Sequence, residues 1–369
     1  MNPYSKNKAI YFIDRLRGIK SGEQPSPIHL YLYLSDLCNH NCSFCAYRQD
    51  GYTTTELFIS HNEDGSVIKN PNRMLTLEKV ISILDDAALL DVKAIQFTGG
   101  GEPTLHPNFA EIVDIAHALG IETSLVTNGS RLNERAISAL MKSSWVRISL
   151  DAGTKETYKS IRQINKDNEF ENVLANVKAL VKERDRVKSD LYIGISFVVT
   201  KDNWEEIPLA CDLANGAGAD SIRYASRFTN ENDDYYKDFG DEAEALIKKE
   251  MAMRANESTS FNIINSLSER RDDLRLGSPD YDRCAYQQLA TFIGADMNLY
   301  TCCCNAYNNR GLIGSIKDCR FLELWNSKKK EIFMSTFNAR NCERCQFNLR
   351  NREINTMIDS LPDTHVNFI

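Results

Sequence analysis

Short apolar segments alternate with longer amphipathic ones, and this alternation constrains the fold of the chain more than any other feature. The apolar segments lie at 28–34, 92–97, 123–127, 146–150, 192–199 and 221–224. Helical spacing of apolar residues between them predicts helices over 75–90, 108–119, 168–181 and 204–213. Gly120 is a suitable left-handed cap for the second helix. Repeated strand–helix units predict an α/β fold with a parallel sheet, in which functional residues gather at the carboxyl ends of the strands.

A cysteine triplet follows the first predicted strand directly. Cys38, Cys42 and Cys45 lie at CxxxCxxC spacing, and Phe44 precedes the third cysteine. Iron–sulfur clusters take cysteine thiolates as ligands, so thiols on one short loop can converge on one metal centre. Three ligands leave the fourth iron of a cubane open to a substrate or cofactor. The alternative is a structural zinc site with a distant fourth ligand such as His40.

Composition favours a cytoplasmic metalloenzyme of two or three domains. The chain has 369 residues, 42% of them hydrophobic, and a net charge of −7, which argues against nucleic acid as the main partner. The first residues do not resemble a signal peptide, and no apolar run reaches the roughly 20 residues of a membrane span. Eleven cysteines in such a chain are expected to be metal or redox ligands and not disulfides.

Polar and glycine residues follow the later predicted strands. The second strand runs into Gly100, Gly101 and Glu102, where glycines let a ligand approach the backbone and a carboxylate can pair with an ammonium group. A tight turn is the alternative for this glycine cluster. Arg162 offers a planar fork for a carboxylate, or is a surface arginine. Further polar residues at strand ends are Asn128, Ser149 and Asn203.

The cysteine triplet and the glycine motif together resemble those of the radical S-adenosylmethionine (SAM) enzymes. The resemblance implies a partial (β/α)6 barrel in which Cys38, Cys42 and Cys45 hold a catalytic 4Fe–4S cluster. In that family SAM chelates the open iron through its amino and carboxylate groups. One electron from the cluster then cleaves SAM to a 5'-deoxyadenosyl radical, which takes a hydrogen atom from the substrate.

The resemblance also assigns a SAM-binding set. It implies that Glu102 holds the SAM amino group, that Ser149 and Arg162 contact the ribose and carboxylate, and that the strand ending at Val199 lines the adenine. Asn203 is expected to help hold the nucleoside. The complete set of expected cofactor-binding residues is Phe44, Gly100, Gly101, Glu102, Asn128, Ser149, Arg162, Val199 and Asn203.

A second cysteine group lies near the end of the chain. A CxxC pair with two upstream thiols can supply four ligands to a closed cluster or a zinc site. Residues 296–302 and 314–325 resemble the hairpin and helix of SPASM and twitch domains, and the single CxxC favours one auxiliary 4Fe–4S cluster. Its expected ligands are Cys284, Cys302, Cys342 and Cys345. Two departures limit the assignment, because Met297 replaces the usual glycine and Cys303 or Cys304 could replace Cys302.

These motifs predict a domain order. An N-terminal extension occupies 1–27, the radical SAM core 28–229, a charged helical bridging segment 230–282, and the auxiliary-cluster domain with its tail 283–369. The long polar stretch 47–74 is expected to form a lid over the active-site mouth. Cys211 and Cys319 are expected to be buried or incidental thiols.

The expected reaction is an oxidation, in which the substrate radical loses an electron to the auxiliary cluster. The leading substrate class is a small polar molecule such as a sugar or aminocyclitol alcohol, with Arg223 and Tyr224 facing the substrate space. A ribosomal-peptide maturase that crosslinks or epimerises a precursor is the alternative, and genomic neighbours would discriminate between the two. A non-enzymatic metal or redox sensor is a third class. The expected reductant is a flavodoxin or ferredoxin.

Overall fold

The computed structural model describes residues 7–49, 54–58, 60–61, 67–68, 73–229, 231–255 and 260–362. The strands are β1 His29–Tyr33, β2 Ser60–His61, β3 Val67–Ile68, β4 Ala94–Thr98, β5 Glu122–Thr127, β6 Trp145–Ser149, β7 Tyr192–Val199, β8 Ser221–Ser226, β9 Asn262–Ser266, β10 Ala290–Ile293, β11 Asn298–Tyr300 and β12 Leu312–Ser315. The α-helices are α1 Ile13–Lys20, α2 Leu77–Leu89, α3 Phe109–Ala118, α4 Glu134–Leu140, α5 Lys155–Arg162, α6 Glu169–Val187, α7 Ile207–Gly216, α8 Gly240–Arg254, α9 Leu267–Leu276, α10 Tyr286–Leu289, α11 Phe321–Trp325, α12 Lys328–Thr336 and α13 Asn348–Ser360.

Ten strands form one sheet, in the order β12-β11-β10-β1-β4-β5-β6-β7-β8-β9. Neighbours from β10 through β1 to β9 run parallel, whereas β10, β11 and β12 are antiparallel. The described strands thus form an open sheet with two ends, and β2 pairs with β3 apart from it. This arrangement confirms the predicted α/β class with six strand–helix units and a cysteine-rich C-terminal part.

The two faces of the sheet differ in chemistry. Alternate strand residues such as Leu32, Phe97 and Ile195 pack against the helices in the main hydrophobic core. Because successive strand residues point to opposite faces, the residues between them line the other face. We call this the inner face, and its members include Tyr31, Tyr33, Gln96, Ser124, Arg147, Ser149, Ser196 and Arg223.

The structure adds elements that periodicity missed. Helices α4 and α5 complete two crossovers, and the left-handed cap predicted at Gly120 is confirmed by its φ of 75°. The bridging segment expected to be helical at 230–282 contains α8 and α9 and also the strand β9, which pairs in parallel with β8. The sequence of β9, Asn-Ile-Ile-Asn-Ser, has too few apolar residues to stand out between charged helices. The domain boundaries stay a prediction.

The cysteine-rich part is joined to the core at two places. Strand β10 pairs with β1 in the shared sheet, and α13 packs against α1 in a small separate core. Half of the predicted lid at 47–74, including Gly51, Gly65 and Asn70, lies outside the described residues. No helix in the described part of the chain combines the length and the apolar character that crossing a membrane requires.

Candidate active site and metal centres

The cysteine triplet lies on the loop after β1, and two neighbouring segments hold this loop through the backbone. Asn41 and Ser43 donate their backbone N–H groups to the carbonyls of Arg162 and Ile161 at the end of α5, over 3.0 and 2.9 Å. On the other side, the Glu102 N–H donates to the Leu37 carbonyl over 2.9 Å. Backbone hydrogen bonds to both neighbouring segments therefore help to position the loop.

Each sulfur of the triplet faces a nitrogen donor. Arg162 Nη1 lies 3.3 Å from Cys42 Sγ, and Arg48 Nη1 lies 3.5 Å from Cys45 Sγ. Asn128 Nδ2 lies 4.0 Å from Cys38 Sγ. Hydrogen bonds and positive charge at sulfur favour the thiolate and tune an iron–sulfur cluster. The donor set thus fits a cluster held by these three cysteines.

Burial opposes ionisation of the same thiols. It raises the pKa of Cys38 to about 12, and the nearby Glu102 carboxylate adds to this rise. Burial also raises the pKa of Cys42, although the Arg162 charge opposes the rise. Metal binding must therefore displace protons. In the described part of the chain, no three His, Cys, Asp or Glu side chains converge at metal-binding geometry, so the fit rests on the donors around the sulfurs.

Gly100 and Gly101 lie where the protein packs most closely around the cysteine loop. A Cβ on Gly101 would lie 2.2 Å from the Leu37 carbonyl oxygen, and one on Gly100 would lie 2.6 Å from the Phe58 ring. These contacts are shorter than any side chain tolerates. Gly101 therefore allows the close approach of the chain segment that leads into the cysteine loop, and Gly100 makes room for Phe58 and Asp36. Both are reasons additional to the predicted approach of a ligand.

Glu102 is buried under the same loop and is fully engaged. Its carboxylate accepts hydrogen bonds from the Asn128 N–H over 2.8 Å, from the Thr127 and Thr104 hydroxyls over 2.6 Å each, and from the Thr104 N–H over 3.1 Å. Burial raises the pKa of Glu102, and these hydrogen bonds oppose the rise. The carboxylate thus fixes Asn128 beside Cys38. Its binding of the SAM amino group stays a prediction.

Arg162 is a buried residue of α5 and not a surface arginine. Its guanidinium donates to the Ser149 carbonyl and forms a salt bridge with Asp151, and it lies 5.7 Å from the centre of the Phe44 ring. Burial raises the pKa of Asp151, while the charges of Arg162 and then Arg147 lower it. The structure therefore brings Phe44, Ser149 and Arg162 together beside Cys42. Their contacts with SAM stay predictions.

Asn203 and Val199 lie at the end of β7 but are buried. Asn203 accepts from the Thr200 N–H over 2.7 Å and donates to the Asp151 and Val198 carbonyls over 2.8 and 2.9 Å. All hydrogen-bonding groups of its side chain are thus used to join the ends of β6 and β7. The Val199 carbonyl accepts from Tyr236 over 2.9 Å. Nucleoside binding by either residue stays a prediction.

The structure also shows the surroundings of His40, considered above as a zinc ligand, and of Tyr224, expected to face the substrate. His40 packs against Tyr158 and lies 3.4 Å from Glu169, and burial lowers the pKa of this imidazole to about 3. The expectation that Tyr224 faces the substrate space is wrong, because its hydroxyl donates to the Ile207 carbonyl on the helix side of the sheet. Only Arg223 points to the inner face, since neighbouring strand residues face opposite ways.

The second cysteine group surrounds one cavity. Its lining includes all four predicted ligands, Cys284, Cys302, Cys342 and Cys345, and also Cys304. Cys303 does not line it, and its sulfur accepts a hydrogen bond from Gln346. Of the three adjacent cysteines, Cys302 and Cys304 thus line the cavity, and which of them is a cluster ligand stays a prediction. Donors again face the sulfurs, since Asn305 Nδ2 lies 3.5 Å from Cys342 and the Phe347 N–H 3.4 Å from Cys345.

The hairpin β10–β11 contains Met297, which replaces the glycine usual at this position. This residue has a φ of 60°, so the position where related hairpins carry glycine is left-handed here too. The two cysteines expected to be incidental are Cys211, which is buried in the helix layer, and Cys319, whose Sγ lies 3.4 Å from the Ser315 carbonyl. Neither of them lines the cavity.

The two cysteine sites lie at opposite ends of β1 and β10. The triplet follows the carboxyl end of β1, whereas β11 runs back along β10 and delivers Cys302 to its amino end. A strand of five residues spans about 17 Å, which sets the scale of their separation. A cluster of aromatic side chains, which the sequence analysis did not identify, packs beside β1 and β10. Its buried or half-buried members are Tyr33, Tyr47, Phe58, Phe292, Tyr300 and Tyr307.

Residues 32–214 match the family model of the Radical SAM superfamily. The tungsten-containing aldehyde ferredoxin oxidoreductase cofactor-modifying protein of Pyrococcus furiosus is 27% identical over 53% of this chain and 50% of that protein. The S-adenosylmethionine-dependent nucleotide dehydratase of Flammeovirga pacifica is 29% identical over 47% of this chain and 54% of that protein. The chain thus spans about half the length of the curated relatives it matches.

Among solved structures, Streptococcus suis SuiB bound to its precursor peptide SuiA aligns with a TM-score of 0.63 and 16% identity, over 97% of this chain and 81% of SuiB. At this identity the likeness concerns the fold. The matched domain, the fold and the cysteine triplet together show that the chain belongs to the radical SAM superfamily, whose cofactors are SAM and a 4Fe–4S cluster.

Proposed function

We propose that this chain is a radical SAM oxidoreductase that uses an auxiliary 4Fe–4S cluster as electron acceptor. When bound, SAM and the first cluster supply the 5'-deoxyadenosyl radical that takes a hydrogen atom from the substrate. The observation that carries the proposal is the position of two cysteine sites at opposite ends of the same strands, with the inner face of the sheet between them. A substrate on that face lies between the hydrogen acceptor and the electron acceptor.

The protein groups around the triplet have separate tasks in this proposal. Cys38, Cys42 and Cys45 supply three ligands and leave one iron open to SAM. Arg48 and Arg162 lie beside two of the sulfurs and stabilise their negative charge. The backbone contacts with α5 and with the Glu102 loop fix the position of the loop that would hold the cluster.

The second site differs because the protein can close it. Four cysteines leave no iron open, so the auxiliary cluster exchanges electrons and binds no substrate. Tyr286 and Phe347 line its cavity together with the cysteines, and both side chains belong to the buried or half-buried aromatic packing at the amino end of β10. Low solvent access is one of the factors that set the potential of such a cluster.

We propose a small polar substrate, such as a sugar or aminocyclitol alcohol. The inner face supports it, since Gln96, Ser124 and Ser196 are buried polar residues there that can hydrogen-bond hydroxyl groups. A peptide precursor is the second candidate, because the likeness to peptide-bound SuiB covers 97% of this chain. A precursor gene beside the coding sequence would favour the peptide, and sugar-nucleotide genes the small molecule.

Metal analysis tests the two-cluster arrangement. After anaerobic reconstitution we expect about eight irons per chain, and about four in the Cys38→Ala, Cys42→Ala, Cys45→Ala variant or in the Cys342→Ala, Cys345→Ala variant. Bound zinc, or iron unchanged by the first variant, would establish a metal site of another kind and contradict the proposal.

Product analysis tests the radical reaction. Flavodoxin or ferredoxin is the proposed reductant, and dithionite replaces it in the assay. We expect 5'-deoxyadenosine from the wild type and none from the triplet variant. With a deuterated substrate, deuterium must appear in 5'-deoxyadenosine, and transfer without net oxidation of the substrate would argue against the auxiliary cluster as electron acceptor.

A further inference from the structure

Arg147 carries a charge on the inner face that no described acidic side chain pairs with in a salt bridge, although the charge of Asp151 acts on it at longer range. The residue is half-buried on β6, and its Nε is buried with no hydrogen-bond partner among the residues that the structure describes. Its guanidinium lies 5.5 Å from the centre of the Trp145 ring, and no acidic side chain in the described part of the chain forms a salt bridge with it. A buried charge is costly unless a counter-charge or hydrogen bonds compensate it.

A second arginine lies on the same face. The register aligns Ser149 of β6 with Ser196 of β7 and Ser196 with Arg223 of β8. Arg147 lies two residues before Ser149 on β6, and β8 is two strands away from β6. Two strand spacings across the sheet and two residues along it place the Cα atoms of the two arginines about 12 Å apart. Arg223 Nε donates to Ser266 Oγ over 3.1 Å, which orients its guanidinium. Two long side chains on one face at this separation can reach a common ligand.

The surrounding face carries little negative charge. Strands β1 and β4 to β9 contain one acidic residue, Glu122, which is exposed at the amino end of β5 and accepts a hydrogen bond from Ser144. Asp151, just beyond β6, forms its salt bridge with Arg162, and its charge interacts with Arg147 without a salt bridge. The Ser196 hydroxyl lies between the two arginines in the register and adds a neutral donor.

We propose that Arg147 and Arg223 form a subsite for an anionic group of the substrate, a carboxylate or a phosphate. Arginine is suited to such groups because its planar fork donates two parallel hydrogen bonds to their oxygens. This inference rests on the proposed function, since it requires the substrate to occupy the inner face between the two cysteine sites. It narrows the polar substrate to one that carries a negative charge.

Binding of inorganic phosphate and of acetate to the cluster-loaded protein tests this subsite. Midpoints of thermal unfolding are measured against anion concentration at constant ionic strength set with chloride. We expect saturable stabilisation of the wild type, and a dissociation constant raised about tenfold or more in Arg147→Met and in Arg223→Met, because each removes charge-assisted hydrogen bonds. Arg147→Lys keeps the charge and should recover part of the affinity. Arg135→Met, which removes an exposed arginine of α4, is the matched control.

The carboxylate of SAM is another anion that these arginines could bind, so SAM affinity is measured on the same proteins. Weaker SAM binding with unchanged phosphate and acetate binding would assign Arg147 to the cofactor and overturn the proposal. Anion affinities that match the control in all variants would overturn it as well. Iron content of each variant reports folding and cluster loading separately, so a failure of the two-cluster function is seen in the wild type before any anion is added.

Discussion

At the scale of single residues, the positions that matter most are those where backbone meets backbone. Gly101 is one of them, because the Leu37 carbonyl occupies the space that any side chain would need. Met297 shows the opposite case, since a bulky residue takes a left-handed conformation where glycine is the ordinary choice. The glycine motif could be recognised in the sequence, but the partner that makes Gly101 necessary is seen only once β1 and β4 are paired.

Gly101→Ala should displace the cysteine loop. A Cβ 2.2 Å from the Leu37 oxygen forces the backbone apart, and we expect a loss of about 1–3 kcal/mol in the free energy of unfolding. Iron bound by the triplet should fall while iron in the auxiliary site is kept. Gly216→Ala in α7 is the control, because no atom lies within 4 Å of its added Cβ. Iron content equal to that of the control would show that the loop tolerates the displacement.

Lys330 predicts a pH dependence of stability. It is 1% exposed and lies 4.0 Å from the centre of the Trp325 ring, and burial lowers its pKa from 10.5 to about 8. Between pH 8 and 10.5 the unfolded chain binds a proton at this lysine that the folded protein does not. The free energy of unfolding therefore increases as the pH rises through this range, and it decreases again as the pH falls to 8. Below pH 8 the cost is constant, at about 3 kcal/mol.

Urea unfolding of Lys330→Met checks this expectation. The variant should be more stable than the wild type at pH 7 by about 1–3 kcal/mol, and the difference should shrink between pH 8 and 10. Lys329→Met removes an exposed lysine from the same helix and should show no such change. A pH-independent difference between wild type and Lys330→Met would mean that the lysine titrates normally.

At the scale of elements, α5 connects the cysteine loop to the rest of the sheet. Its carboxyl end accepts the loop's backbone N–H groups and carries Arg162, while its amino end is held by Glu206 from the segment before α7. The Glu206 carboxylate accepts from the Gly153 N–H and from the Thr154 and Thr157 hydroxyls, each over 2.7 Å. Orientation of the cysteine loop thus depends on a carboxylate that contacts no cysteine.

Glu206→Gln should therefore weaken both stability and cofactor binding. The amide keeps the shape but cannot accept at both positions, so we expect a loss of about 1–3 kcal/mol in the free energy of unfolding and weaker SAM binding. Equilibrium dialysis with SAM and urea unfolding measure the two effects. Glu205→Gln, at an exposed neighbouring position, is the matched control. Normal SAM affinity in a destabilised Glu206→Gln would confine the role of Glu206 to stability.

Elements differ in how far the sequence predicts them. Long periodic segments such as α2, α6 and β7 are visible because their apolar residues repeat at helical spacing or form a continuous buried run. The short helix α5 and the edge strand β9 carry too few apolar residues for that signal. The expected cysteine ligands and motif residues are suggested by their spacing and stay predictions. The donor Asn305 has no local signature, and only its tertiary contact with Cys342 reveals it.

At the scale of the whole molecule, the two cysteine parts form a single structural unit. Strand β10 covers the edge of β1, and α13 covers α1. The sequence indicated a separate small domain because its motifs are clustered, but clustering along the chain carries no information about which strand edge the cluster covers.

Truncation after Asp282 should consequently yield an aggregating protein. It exposes the edge of β1 and the apolar residues that face α13, and a long uncovered edge of a parallel sheet pairs with other chains. We expect loss of soluble protein and of iron at the triplet, measured by sedimentation and metal analysis. A chain ending at Pro362 is the control and should stay in solution. A monomeric 1–282 fragment that binds about four irons would show that the core folds without the C-terminal part.

The pairing of β1 with β10 also determines the order in which strands can pair during translation. One strand lies near the start of the chain and its partner about 260 residues later, so at about 5–20 residues per second the ribosome needs about 13–50 s to deliver the second after the first. During that interval β1 can pair only on its β4 side. The nascent chain therefore completes the loop of the cysteine triplet long before β10 can cover the strand that precedes this loop.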